Sequence, residues 1–451
     1  MPEEIVSRDS TEEDYNAQSR CSVMKLDIYF DGLDKEPLEV SRDNYLIDAS
    51  VLEEACADSD NPFGAVSANE ISFSLYNSNG MFSPTQSTGP YYGKIKTGVP
   101  IIARIKPDVD STEVNYDTLG LFYVTDWNAT ITGVTANVVA NDVMYFIFSK
   151  PQTRLPVFKG ISMQALYEKF FEAIAVGVSI DSDLSETLLY AYIMKSNKDF
   201  LNDMSIGSQS YIFCNRSGVP RVEYARGPQE VKHTLTDTDQ IVNIISSQST
   251  LVEYSGAKVV MNKPQESPVE ALLSINNELI PSGSYNSKIT SFKSSPVYKV
   301  SAALLNGGAK ASISNIVATC TDVAYTLHND SPADINSSLE ILGTYIDTIS
   351  TEYSSGNEEG NVLSVDNIYV QTAEYAEKFL KFLTAYVKNN VPVLELEIRG
   401  NPKYLPGEKI HVISDKYNVD FTGVLIRQEY TYDGSLSSKI KLFNSEIMEV
   451  L

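Results

Sequence analysis

Side chains suited to metal or redox chemistry are scarce in this sequence. Its 451 residues hold four cysteines and three histidines. Cys21, Cys56, Cys214 and Cys320 stand far apart with no C-x-x-C pair. Neither a zinc site nor a disulfide framework is expected, and reduced thiols are the simpler reading. His233, His328 and His411 have no His or Cys at ligand spacing, so no metal or cofactor site is expected from them. No run approaches the roughly 20 apolar residues of a membrane-spanning helix, so no membrane anchor is expected. The N-terminus, MPEEIVSRDSTEEDYNAQSR, lacks a basic start and an apolar run and does not read as a signal peptide. Positive charge is also short: 35 Lys and Arg stand against 59 Asp and Glu, a formal net charge of −24. Such a chain repels phosphate backbones, which argues against nucleic acid as a ligand. Two readings of the charge remain open, solubility alone or an acidic wall past which DNA slides without sticking.

Catalytic motifs are missing as well. There is no G-x-S-x-G elbow and no S-x-x-K set. Cys214, in the stretch YIFCN, has no activating neighbour in sequence and reads as a buried, inert thiol. The densest acids, Asp181 and Asp183 in IDSDLSET and Asp237 and Asp239 in TDTDQ, lack the oxygen series, central Gly and closing Glu of a calcium loop. Caps and turns explain them better. The run Asn306-Gly307-Gly308-Ala309-Lys310 lacks the second half of a phosphate loop and reads as a turn. No catalytic residue is assigned.

What is present is material for strands. Apolar residues make up 43% of the chain, and its 27 tyrosines lie among many Val, Ile, Ser and Thr. The length suggests two to four domains. Residues 1–20, acidic and polar, read as a flexible arm. Residues 21–150 read as a β domain. Lys25–Phe30 leads to an Asp31-Gly32 hairpin turn, and Ile71, Phe73 and Leu75 alternate with polar residues up to an Asn79-Gly80 turn of the same kind. Further strands are expected over Pro100–Ile105, Leu119–Asp126, Thr130–Asp142 and Val143–Phe148.

Residues 151–235 read as an inserted α+β domain. Ser162 is placed to cap a helix bearing Met163, Leu166, Tyr167, Phe170, Phe171 and Ile174 on one face. A second helix is expected near Asn197–Ile206, with Phe200, Leu201 and Met204 as its stripe, followed by a strand pair about Ser217-Gly218. Residues 236–360 form a mixed β region with strands at Leu251–Tyr254 and Lys258–Met261 and a polar loop at Ser354–Asn361. Residues 361–451 hold a helix (Tyr375, Ala376, Phe379, Leu380, Leu383, Tyr386, Val387) and closing strands. Leu394, Leu396 and Ile398 alternate along Val393–Arg399, and Lys409–Ile413 follows a Pro406-Gly407 turn, with His411 outward. A long hairpin then puts Val424, Ile426, Tyr430 and Tyr432 on one face. Beyond a two-residue Asp433-Gly434 turn of type I′, Leu436, Ile440 and Leu442 share a face.

Ordered phrases along the chain resemble a known family. The stretch GAVSANEISFSLYNSNGMFSPTQSTGPYYGKIKTG (64–98) carries Phe82, Ser83, Pro84, Gly89, Pro90, Tyr91, Tyr92 and Gly98 in the pattern of the N-terminal domain of bacteriophage tail-tip and baseplate hub proteins. Residues 119–142 continue in that family's manner. KDFLNDM (198–204) resembles the helix of the hub's inserted domain. Arg399, Gly400, Asn401, Pro402 and Gly407 match the RGNP…G turn before the closing strands, with Glu408 where the family often has Asp.

The resemblance implies a mainly β protein with two tail-tube-like β-barrel domains and smaller inserted α+β domains. It implies a homotrimer whose six barrels cap a sixfold tube. The tail tube or a distal tail protein lies above, a spike, tip or other baseplate protein below, a tape-measure protein is a further partner, and DNA passes through the lumen. It also implies a place at the tip of a virion tail, with assembly in the host cytoplasm. Ending at Leu451, just past the last hairpin, the chain is expected to carry no appended hydrolase domain. Two other readings stand beside this one: a receptor-binding adhesin or carrier module of the tail that binds host-surface carbohydrate through Tyr-rich β surfaces or holds receptor-binding proteins, and a tail-associated cell-wall hydrolase, which would need a paired acid or metal site.

Overall fold

The computed structural model describes residues 8–16, 21–56, 64–108, 114–130, 132–225, 230–237, 241–246, 254–283, 285–306, 310–357, 359–388 and 393–448. A short helix, α1 (Glu12–Asn16), precedes seven strands. These are β1 (Cys21–Ile28), β2 (Leu38–Ser41), β3 (Leu46–Glu54), β4 (Glu70–Tyr76), β5 (Pro100–Asp108), β6 (Asp117–Ala129) and β7 (Thr135–Asn141). They pair in the order β3-β4-β7-β6-β5-β1-β2 and curve round one core. Alternation places it: Ile71, Phe73 and Leu75 of β4, and Ile101, Ala103 and Ile105 of β5, all point inward.

An α+β module follows. It comprises α2 (Val143–Ser149), β8 (Phe158–Ser162), α3 (Met163–Ala173), β9 (Ser179–Ile180), β10 (Thr187–Ala191), α4 (Asn197–Ser208), β11 (Ser210–Cys214) and β12 (Pro220–Tyr224). Ser162 caps α3 by accepting from Ala165 N, and Met163, Leu166, Tyr167, Phe170 and Phe171 are buried. Next come β13 (His233–Thr236), β14 (Ile241–Ser246) and β15 (Gly256–Glu266). A small sandwich then stacks β16 (Glu270–Ile280), β18 (Val297–Asn306) and the first half of β21 (Ile335–Gly356) on β17 (Tyr285–Ser291), β19 (Ala311–Ala318) and β20 (Asp322–Asn329). The second half of the 22-residue β21 leaves the sandwich to pair with β15. Beyond it lie β22 (Val362–Asp366), α5 (Ala373–Lys388), β23 (Val393–Ile398), β24 (Lys409–Ser414), β25 (Val419–Tyr432), β26 (Leu436–Asn444) and α6 (Ser445–Met448).

Both terminal β regions belong to one 13-stranded sheet. The second β unit runs β14-β23-β26-β25-β24-β13 around Leu394, Leu396, Ile398, Ile410, Val412 and Leu442. The hairpin β25–β26 joins the two. Its base pairs with β23 and β24, while its tip, Arg427–Tyr432, pairs with Glu54–Ala49 of β3. A bulge between Leu425 and Arg427 turns the strand at the crossing.

Several sequence-based expectations change. The arm is not loose over residues 8–16: Tyr15 is fully buried. Val143–Phe148 is helical, because Asp142 accepts from Met144 N as N-cap and the helix packs on α4. The second β unit is not confined to 361–451, since β13, which crosses the boundary drawn at 235, and β14, which follows it, both belong to its sheet. Helix α5 serves the core of the α+β module, with Phe379, Phe382 and Leu383 in the same buried cluster as Phe200 and Met204. Strand β21 extends through Gly356, so the polar loop begins later than Ser354. Asn79-Gly80 opens a loop over 77–99 rather than a hairpin, because β4 and β5 do not pair. The inward residues of β25 do not share one face: Val424 and Ile426 enter the module core, Leu425 the second β unit, and Tyr430 and Tyr432 the first. Residues 251–253 and 307–309 of the expected strand and turn lie outside the described residues.

Candidate assembly site at the junction of the two β units

The side chains that hold the two β units together converge on Arg216, in the turn between β11 and β12. Its Nε and Nη2 donate to the two carboxylate oxygens of Glu53 on β3, each at 2.7 Å. Nη2 also donates to the Tyr430 hydroxyl at 3.0 Å, and the guanidinium reaches the carbonyls of Pro402 and Tyr404. One cation from the module thus ties the first unit, the joining hairpin and the loop before β24. Burial works against the charged guanidinium, but the Glu53 carboxylate outweighs it and raises the Arg216 pKa.

Residues of the 399–408 loop meet here. Asn401 is buried; its Oδ1 accepts from Lys403 N at 3.0 Å, and its carbonyl accepts from Gln428 and Tyr430. Pro402 is buried and Arg399 exposed. Gly400 has φ +60°, and a Cβ there would stand 2.9 Å from Leu436 Cγ and 3.1 Å from the Ser437 carbonyl carbon. Gly407 has φ +90°, and a Cβ there would press on Glu223 at 2.7 Å.

Residues 8–16 cross the same junction. Thr11 and Asp14 cap α1 reciprocally, and Arg8 pairs with Asp14 at 2.7 Å. Asp117 of β6 accepts from Ser10, from Tyr15 at 2.7 Å and from Lys403 of the second unit at 2.8 Å. His233 of β13 lies between Glu12 and Glu408, and its ring tilts against Tyr404 at 4.7 Å. Beside these residues a cleft of about 550 Å³ opens between β9, β12 and Leu405–Glu408, faced by Asp181, Arg221, Glu223, Lys232 and Glu408. Burial raises Glu223, helped by Asp181 and Glu408 and opposed by Arg221.

The other motif residues form a separate plug under the first unit. Phe82 is fully buried; its N–H donates to Asn77 Oδ1 at 2.9 Å and its carbonyl accepts from Trp127 Nε1 at 2.9 Å. Ser83 donates to the Thr130 carbonyl at 2.7 Å. Tyr91 stacks on Phe30 and Phe82 at 4.4 and 5.8 Å. Pro84 and Gly89 are half-buried, while Pro90, Tyr92 and Gly98 are exposed. Gly98, at φ +86°, donates to Val124 O. The Asp433-Gly434 turn differs from expectation. Tyr432 pairs with Leu436, leaving a three-residue loop with positive φ at Gly434 alone, so it is not type I′. Arg42 donates to the Asp433 carbonyl across the units.

The structure thus brings the 399–407 motif into the junction and places the 82–98 motif and the 433–434 turn apart from it. Sequence reasoning missed Glu12, Glu53, Asp117, Arg216 and Lys403; each is a single charged residue whose partner lies more than a hundred positions away. Asp181 and Asp237, weighed for catalysis, each hold a backbone N–H: Asp181 accepts from Asp183 N in a turn, and Asp237 accepts from Ser414 and Lys416 N. Asp239 lies outside the described residues. Burial and Asp142 push the Cys214 thiol up. Among the described residues no group of three His, Cys, Asp or Glu could hold a metal, and no helix is long and apolar enough to cross a membrane.

Two β units lie on one sheet with an α+β module between them, an arrangement this chain shares with solved phage tail proteins. Two solved structures align with it almost end to end. The 43 kDa tail protein of prophage MuSo2 from Shewanella oneidensis superposes with a TM-score of 0.54 at 9% identity, over 94% of this chain and 99% of that one. A tail protein from Neisseria meningitidis gives 0.53 at 10% identity, over 95% and 98%. By sequence, no family model and no curated protein matches the chain. The likeness establishes the fold that the ordered phrases pointed to, at an identity too low for sequence comparison.

Proposed function

We propose that this chain is a non-enzymatic structural subunit of the hub at the tip of a phage tail or a related injection machine. It assembles as a homotrimer, joins the tail tube or a distal tail protein to a spike, tip or other baseplate protein, and surrounds the path of the DNA. The observation that carries this reading is the welding of two β units into one 13-stranded sheet, in a fold shared with tail proteins over nearly the whole chain. Two β units per chain, in three copies, would give six to meet a sixfold tube, and the net charge of −24 suits a conduit that must not retain DNA. The test is an electron-microscopy map of the assembled particle, with mass measurement of the purified chain. Threefold density on the tail axis is expected. A monomer bound away from that axis overturns the reading.

A second reading rests on the sandwich. Tyr285, Ile289 and Val317 lie on its outer sheet at 69, 69 and 65% exposure, beside the hydroxyls of Ser287 and Thr326. An adhesin would use such a face for sugar stacking. Binding on a glycan array, lost in Tyr285→Ala, would favour it.

A further inference from the structure

We propose that residues 8–16 form a pH-released strap, locked across the two β units by a doubly hydrogen-bonded imidazolium at His233. The Nδ1 of His233 is 2.9 Å from Glu12 Oε2 and its Nε2 is 3.1 Å from Glu408 Oε2. An ionised carboxylate only accepts, and a neutral imidazole has a single N–H. Both contacts are satisfied together only when the ring carries two protons. The ring is held in place, with 12% of its side chain exposed, and Tyr404, packed against it, donates its hydroxyl to the other Glu12 oxygen at 3.1 Å.

The groups facing this lock come from every element around it. Glu12 belongs to the strap, whose other charges are Glu13, Asp9, which accepts from Asn115, and the self-paired Arg8 and Asp14. Glu408 and Tyr404 come from the loop before β24. Glu223 and Asp181 face Glu408 across the cleft. Lys232, just before β13, and Lys409 of β24 flank the site. Burial favours the neutral ring, but Glu408 and Glu12 outweigh it, and His233 lies above its ordinary value. The sign follows. Strap docking is fullest below the ordinary histidine value and is lost as pH rises through the docked value. Glu12 is then the carboxylate free to leave, because it sits on a five-residue helix, while Glu408 also accepts from Leu405 N at 3.0 Å. Opening the strap uncovers Asp117, Lys403 and Asn401 on a face that spans both units.

The experiment is hydrogen–deuterium exchange on the full chain at about pH 6 and about pH 9, corrected for intrinsic rates. Protection of residues 8–16 is expected to be lost at the higher pH, where the ring gives up its second proton. Protection of β15 and β21 should hold. Glu12→Gln, whose amide can donate to a neutral ring, should dock with equal protection at both values. His233→Gln should also lose the pH dependence. A merely structural contact would lower protection in the variants and leave its pH dependence intact. Equal protection of the native strap at both values, or a pH dependence that survives in both variants, overturns the proposal.

Discussion

The first β unit takes seven strands from residues 21–141, whereas the second gathers six from residues 233–246 and 393–444. From the rest of the chain, the tip of the β25–β26 hairpin contributes Tyr430, Tyr432 and Leu436 to the core of the first. The second cannot form its sheet until segments nearly 150 residues apart have met. Its edge strands β13 and β14 precede both the sandwich and the helix that leads into β23. A contiguous unit can close on local contacts; a split one must first meet the entropy of a long loop. The junction reflects that difference. Charged and polar side chains from the strap, the module and the 399–408 loop hold the split unit against the contiguous one, where a broad apolar interface would be expected between two domains folding alone.

The comparison can be broken at several points, and the largest effect should come at the clamp. Arg216→Ala leaves Glu53, only 4% exposed at its side chain, without its cation. A loss of about 3–5 kcal/mol is expected in urea denaturation, with both units affected. Loss confined to one unit would show that they are not welded there. Phe82→Ala should cost about 3–5 kcal/mol through a cavity in the first unit alone. Amide exchange should show β4 and β6 loosened and β23 and β24 protected. Gly434→Val forces a β-branched residue to φ +111° beside Arg42 and should cost about 1–3 kcal/mol, read as a lowered melting midpoint. An unchanged midpoint would mean that the hairpin tip is not what joins the units.

Asp142 offers a pH test of the first unit's seat on the module. Burial raises this carboxyl to about 7, against the N–H groups of Asn69 and Met144 that favour its ionised form. The folded value lies above the unfolded one, so the folded state holds the proton longer. This group's contribution therefore weakens as pH rises from about 4 and is fully lost above about 7. Asp142→Asn, measured against the native chain across that range, should remove the slope. The smallest effect expected is from Tyr15→Phe, which deletes one hydrogen bond to Asp117 and should cost about 1 kcal/mol.

How much of this was legible depended on the range of the contacts. Ser162 and the stripe from Met163 to Phe171 announced α3, and the alternation of Leu394, Leu396 and Ile398 announced β23, because cap and periodicity are written within one element. Val143–Phe148 was misread as a strand. Its β-branched and aromatic residues favour one, yet the Asp142 cap and packing on α4 make it a helix. The arm misled for the opposite reason. Its composition is that of a loose segment, and nothing near it in sequence reveals Asp117 or His233. The motif residues were found by resemblance, yet only Arg399–Gly407 proved to belong to the junction; Phe82–Gly98 plugs one unit from below.

By itself the sequence determined the strand-rich character, the capped helix α3, the inward faces of β4 and β23, and the absence of motifs for metal or nucleophilic chemistry. Each of these depends on side chains within a few residues of one another. The tertiary structure alone decided that two β regions become one sheet, that β13 and β14 join strands from the far end of the chain, and that Arg216 and His233 become its locks. Those outcomes depend on which distant carboxylates and strand edges meet, and a pattern confined to a local window carries no record of that.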